Sequence, residues 1–94
     1  MDIDIKHDPK GQRFFAELDG KEANLQYSQS DEKTLDYEST FVPVEYRQQG
    51  IGERIVIEAL GFARDNGYQV IPSCPFVRRV LEEHSEYDDV IARK

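Results

Sequence analysis

Two parts of this chain have the residue types and spacing to do chemistry. The first is Arg47-Gln48-Gln49-Gly50-Ile51-Gly52, which runs directly into a helical pattern over 53–66. Gly50 and Gly52 lack a Cβ, so the main chain can bend there and admit a close neighbour. A helix start leaves several N–H groups without internal partners, and the macrodipole makes that end mildly positive. A phosphate is its natural guest. Arg47, and Arg54 one turn in, can add charge-assisted hydrogen bonds. Two glycines ahead of a helix also serve as a plain strand-to-helix turn. A dinucleotide fingerprint would need Gly where Ile55 stands, and a P-loop would need Gly-Lys-Ser/Thr. The expected ligand is therefore phosphorylated but held in neither of those ways. The second part is Cys74, the single cysteine, just past a short strand pattern and just before a helix. The dipole at a helix N-terminus lowers a thiol's pKa and makes a nucleophile of it. The alternative is a small buried apolar residue.

The elements that must position these groups follow from the apolar periodicity. Ile51, Ile55, Val56, Ala59, Leu60, Phe62 and Ala63 share one helical face, with Glu53, Arg54, Glu58, Arg64 and Asp65 on the other. Asn66-Gly67 ends the run with an easy left-handed position. Upstream, Ile3 and Ile5 alternate with Asp2, Asp4 and Lys6, a weak strand signal, and Asp8-Pro9-Lys10-Gly11 is a turn. A strand over 13–18 and another over 23–27 enclose Asp19-Gly20, a strong hairpin signal. Residues 28–33 are polar and predict an exposed loop. Leu35, Tyr37, Ser39 and Phe41 then face one way, and Asp36, Glu38, Thr40 and Val42 the other, as a third long strand. Pro43 should interrupt pairing on its side. Residues 68–71 form a short buried strand, and a strand, helix and strand in this order make a right-handed parallel unit. Pro72-Ser73-Cys74-Pro75 breaks it. A second helix runs from Pro75 or Phe76 to about Glu83, with Phe76, Val77, Val80 and Leu81 inward. Tyr87, Val90 and Ile91 dock a last turn. The fold class is α+β: an antiparallel meander leading into one β-α-β unit with a short helix at the end, all in one domain, 1–94.

Composition bounds the partners. The chain has 94 residues, 33% charged and 38% hydrophobic, with a net charge of −7. Nucleic acid and anionic membranes call for basic surfaces, so neither is an expected partner. A cationic acceptor such as an amine is compatible. One cysteine excludes an internal disulfide, and two distant histidines give no metal-ligand spacing. No segment has a signal peptide's pattern or spans a membrane, so the expected setting is the cytoplasm, as a monomer or weak homodimer.

Arg47-x-x-Gly50-x-Gly52, five residues after Val42 and followed by an amphipathic helix, resembles the acetyl-CoA motif (Q/R-x-x-G-x-G/A) of the GNAT N-acetyltransferases. Phe41-Val42-Pro43-Val44-Glu45-Tyr46-Arg47, then Val70-Ile71-Pro72-Ser73-Cys74-Pro75-Phe76-Val77, then Glu86-Tyr87, is similar to the very small single-domain members of that superfamily. The resemblance covers roughly residues 12–91. Val44 stands where many relatives have Pro. The two helices that follow the first strand in full-length enzymes are absent, so acceptor identity does not carry over.

The resemblance implies an acetyl-CoA-dependent N-acetyltransferase without a metal. Acetyl-CoA would lie where the strand ending near Val42 splays from the strand at Val70-Ile71. The amides of Gln48, Gln49, Gly50, Ile51 and Gly52, with Arg47, would hold its pyrophosphate. Pantetheine would run along the main chain of Phe41 and Val42, and Pro43 would keep that edge free of ordinary pairing. A cysteine is characteristic at the place of Cys74, as nucleophile or as a contact to the thioester. Among weaker candidates, Glu38 and Thr40 share one strand face and His84 is a distant general base. Arg78 and Arg79 can reach phosphates from the second helix, Tyr87 packs, and His7 is a surface residue. The alternative function is a CoA-binding sensor or interaction module with little or no catalysis.

Overall fold

The computed structural model describes residues 3–92. Five strands form one sheet in sequence order, with neighbours antiparallel except the last pair, which is parallel. They are β1 (Lys6–Asp8), β2 (Arg13–Leu18), β3 (Lys21–Asp31), β4 (Thr34–Phe41) and β5 (Gln69–Ile71). Helix α1 (Ile51–Asp65) connects β4 to β5, and α2 (Pro75–Glu83) follows β5. Short 3-10 turns lie at Val44–Tyr46 and Ser85–Val90. The α+β class and the β-α-β unit are as expected from the sequence.

Asp19 and Gly20 both have positive φ, 51° and 82°, between Leu18 and Lys21, which pair directly. That is the two-residue turn whose twist suits a hairpin. Three expectations about the strands differ. The first strand starts at Lys6, not near Ile3, and Asp2 lies outside the described residues. Residues 28–33 are not a loop: β3 continues to Asp31 and turns tightly into β4. Their side chains are polar because they extend past the core, while the ladder pairs their main chain. Third, the face alternation in β4 does not persist. Gln26 pairs with Ser39 but Tyr27 pairs with Tyr37, so Glu38 is surplus and forms a β-bulge. Parity then flips. Leu35 and Tyr37 are buried under α1, whereas Phe41 is 51% exposed on the opposite face. Thr40 and Val42 now point to the helix side, Val42 against the core.

Phe14, Ala16, Leu18, Ala23, Leu25, Leu35 and Tyr37 present one continuous apolar face. Helix α1 covers it with Ile51, Ile55, Val56, Ala59, Leu60 and Ala63, the face its period dictates. The Tyr37 hydroxyl donates to the Ala59 carbonyl at 2.5 Å, so the largest buried side chain leaves no orphan donor. Burial of each Leu or Ile in this layer contributes about 1.5–3 kcal/mol. α1 ends as expected: Gly67 is left-handed (φ 75°), and Tyr68 N–H donates to the Ala63 carbonyl. The uncovered sheet face is mostly polar, with Phe15 and Phe41 as exceptions. There Arg13 pairs with Asp8 and Glu22 and lies over the Phe15 ring at 4.2 Å. His7, expected at the surface, is half-buried. It stacks on Phe14 at 4.2 Å, meets Phe62 edge-on, and bonds the Tyr27 hydroxyl at 2.6 Å. Burial lowers its pKa.

Candidate functional site

β4 and β5 pair only from Thr34 to Asp36 on β4, opposite Gln69 to Ile71 on β5. One more contact follows, from Cys74 N–H to the Tyr37 carbonyl at 3.0 Å. After it the chains diverge, because Pro72 and Pro75 bracket a bend and β5 gives way to α2. The remainder of β4 borders a cleft of about 640 Å³. Thr40, Phe41 and Val42 line one wall; Phe76, Val80 and Arg79 of α2 line the facing wall. The start of α1 closes the far end.

Seven of the eight residues expected to hold a cofactor line this cleft, among them Phe41, Val42, Arg47, Gly50 and Gly52. Gln48 and Ile51 line it as well, and Gln49 turns back to bond the Glu45 carbonyl at 3.4 Å. Along 48–51 the sign of φ alternates: 66° at Gln48, negative at Gln49, 77° at Gly50, then helical. Alternation of this kind gathers successive amides into a concavity that suits anions. Gly50 has no side chain with which to cap α1, and the first residues of the helix, Ile51, Gly52 and Glu53, line the cleft end, where first-turn N–H groups lack helical partners. The two glycines differ in purpose. Gly50 is the left-handed N-cap, and a Cβ there would enter open space. A Cβ on Gly52 would come within 3.2 Å of the Phe76 ring and 3.3 Å of Val42 Cγ2, so this glycine lets α1, α2 and β4 converge. Arg47 Nε–H donates to the Val42 carbonyl at 2.9 Å, which uses one of five N–H groups and fixes the guanidinium at the cleft rim.

Cys74 is the N-cap of α2, as its place before Pro75 implied, and Arg78 N–H bonds its carbonyl at 3.1 Å. It is 5% exposed and lies behind the cleft wall, with Sγ 3.5 Å from Thr40 Oγ1. Burial pushes the thiol up. Hydrogen bonds from the Thr40 hydroxyl and from the main-chain N–H of Val77, Phe76 and Thr40 outweigh it, and the thiol ends below its ordinary value. Thr40 therefore does not share a face with Glu38. It lines the cleft, while Glu38 accepts from Ser28 on the exposed surface.

The other candidates separate. Arg79 lines the cleft over the Phe76 ring, whereas Arg78 bonds the Pro72 and Ser73 carbonyls. Tyr87 packs under Arg64 at 4.6 Å. His84 sits 2.8 Å from Glu53, a cleft residue, and the bond to Glu53 raises its pKa. Sequence reasoning missed Tyr46 and Glu53 as cleft residues; the hydroxyl of Tyr46 and the position of Glu53 at the third residue of α1 were the available signals. Among the described residues no group of three or more His, Cys, Asp or Glu gathers to hold a metal, and no helix is long and apolar enough to cross a membrane.

A parallel strand pair thus splays beside a helix led by two glycines. The sequence profile described as GCN5-related N-acetyl-transferase matches residues 13–90, and the chain belongs to that family. Among its relatives is Protein NATD1 of Xenopus tropicalis, 27% identical over 84 residues, which cover 87% of this chain and 77% of the relative. Protein NATD1 of Danio rerio is 28% identical over 87 residues, covering 88% of this chain and 79% of the relative. The solution structure of a GCN5-like protein from Staphylococcus aureus superposes with a TM-score of 0.76 at 27% identity, over 97% of this chain and 89% of that one.

Proposed function

We propose that the cleft binds acetyl-CoA and that the protein transfers the acetyl group to an amine in the cytoplasm. One observation carries this reading: the unpaired edge of β4 leads straight to the uncapped N-terminus of α1, along a single lined cleft. Arg47 and the amides of 48–52 hold the diphosphate. The main chain of Phe41 and Val42 hydrogen-bonds pantetheine as a neighbouring strand would. A main-chain N–H near Val42 polarises the thioester carbonyl.

Cys74 supplies the nucleophile. Its thiolate attacks the thioester carbonyl carbon, the bond from that carbon to the CoA sulfur breaks, and the CoA thiolate takes up a proton. A neutral amine then attacks acetyl-Cys74, forms the amide, loses its proton and returns the Cys74 sulfur. The lowered thiol pKa and the Thr40 contact support this route. The near-complete burial of Cys74 favours a second reading, in which the protein binds CoA with little or no turnover. Incubation with acetyl-CoA, followed by intact mass measurement with and without an amine panel, separates the two. Acetylation at Cys74 that an amine discharges is the expected result. Acetyl-CoA at a hundred times its Kd should also stabilise the fold by about 2.7 kcal/mol. Absence of any thermal shift would sink both readings.

A further inference from the structure

The loop from β4 to α1 is held from outside the cleft. Tyr46 lines the cleft, yet its hydroxyl donates to Asp19 Oδ2 at 2.6 Å. The preceding residue, Glu45, pairs with Lys21 Nζ. Asp19 and Lys21 flank Gly20 in the β2–β3 turn, and neither lines the cleft. The two ties are complementary in sense: a carboxylate on the turn receives a hydroxyl of the loop, and an ammonium on the turn receives a carboxylate of the loop. The turn is a rigid base. Its two residues have the paired positive φ of a tight hairpin, and Leu18 before it is in the core.

The loop requires such a base. Gln48 is left-handed at φ 66° without being glycine, a conformation that persists only where surroundings hold it. Within the loop, Tyr46 N–H bonds the Pro43 carbonyl and Arg47 N–H bonds the Val44 carbonyl, at 2.9 and 3.3 Å. These bonds shape a single turn but do not fix where that turn stands against the sheet. The Tyr46–Asp19 bond does, at the protein surface and beside the packing of the Tyr46 ring on the core. The Lys21–Glu45 pair is exposed as well and contributes less, as surface ion pairs do.

We propose that Asp19, with Lys21 assisting, is a positioning residue that sets the phosphate-binding loop in advance through Tyr46 and Glu45. The proposal rests on the acetyl-CoA reading of the cleft. A loop ordered before binding forfeits less freedom when the ligand arrives, so the ties act on affinity without touching the ligand.

Asp19→Gly is the test variant, because glycine accepts the left-handed turn while removing the carboxylate together with its Cβ. Amide hydrogen exchange is followed on the full chain without ligand, and CoA and pantetheine affinities are measured by calorimetry. Exchange of the Tyr46 and Arg47 amides should speed up several-fold while core amides of α1 hold their rates. CoA should weaken by about five-fold, the worth of one hydrogen bond, with pantetheine unchanged. Adding Tyr46→Phe to Asp19→Gly should produce no further loss in exchange protection. Unchanged exchange overturns the proposal whatever the ligand result. Faster exchange with undiminished CoA affinity, or equal losses for CoA and pantetheine, overturns it too. A wild-type protein that binds no CoA refutes the cofactor reading instead, and the exchange rates still decide whether Asp19 holds the loop.

Discussion

Thr40 Oγ1 stands 3.5 Å from Cys74 Sγ, and the two meet only because Glu38 is surplus to the β3–β4 register. In an unbroken strand, Thr40 would sit on the face opposite Tyr37. The bulge turns it toward the helices, where its hydroxyl helps hold the thiol below its ordinary pKa. Replacing Thr40 by valine keeps the shape and removes that bond. Burial, the largest influence on Cys74 and one that acts upward, is then less opposed. The pH profile of iodoacetamide alkylation, followed by intact mass, should move to higher pH in Thr40→Val. A profile that stays put or moves down would remove Thr40 from any part in activating the thiol.

Arg47 makes two demands on one side chain. Its Nε–H is committed to the Val42 carbonyl, and the rest of the fork is left for an anion at the cleft rim. Lysine has the charge but not the fork. Arg47→Ala should weaken CoA by about ten- to a hundred-fold, the range of a hydrogen bond to a charged group. Arg47→Lys should recover only a minor part of it. Pantetheine, which has no diphosphate, should be nearly indifferent to both. Equal losses for the two ligands, measured by calorimetry, would argue that Arg47 acts through Val42 alone.

The glycines give separable effects. Gly50 is left-handed with open space around it, so Gly50→Ala should cost roughly 1–2 kcal/mol of stability from backbone conformation alone. Its methyl group stands at the cleft, and CoA affinity should fall by about ten-fold or more, beyond the stability cost. Gly52→Ala presses on Phe76 and Val42 instead, and over-packing of this kind costs about 1–3 kcal/mol, offset in part by the better helix propensity of alanine. Denaturant melts read alongside calorimetry distinguish them. A Gly50→Ala protein with full affinity would place the cofactor elsewhere.

The two histidines should titrate on opposite sides of the ordinary imidazole value. Glu53 raises His84, while burial among aromatic rings lowers His7. The signs follow from linkage. The contribution of His84 is complete below about pH 6.5, the unfolded value, and is lost as pH rises through its higher folded value. His7 contributes fully above that unfolded value and loses its share as pH falls. Imidazole resonances followed by NMR across pH 4–9 would show the two midpoints. The reverse order, or coincident midpoints, would contradict the Glu53 contact or the burial of His7.

Much of the fold was legible because it is local. Asp19-Gly20, the 3.6-residue period of α1, Gly67 at its end and Pro75 at the start of α2 all act within a few residues, and each appears where its chemistry requires. The cleft was legible for the same reason, since a glycine-led helix start announces itself. What could not be read depends on partners distant in the chain. Nothing in Tyr37-Glu38-Ser39 signals a bulge; the register of β3 against both ends of β4 creates it. Polar residues 28–31 read as loop because their pairing is main-chain only. His7 is enclosed by Phe14, Tyr27 and Phe62, which come from three other elements. The tie from Asp19 to Tyr46 spans 27 positions and belongs to no motif.

Because one unmatched residue decides which side chains look toward the helices, β4 obeys a counting rule. Losing Glu38 would leave Tyr37, Ser39 and Thr40 in plain alternation opposite Tyr27, Gln26 and Leu25, so Thr40 and Val42 would still look toward the helices. Pairing every residue with Glu38 retained but no bulge would instead send Phe41 inward and turn Thr40 and Val42 out to water, dismantling one wall. A single deletion between Tyr37 and Thr40 should therefore be tolerated, and a single insertion should not unless a second bulge absorbs it.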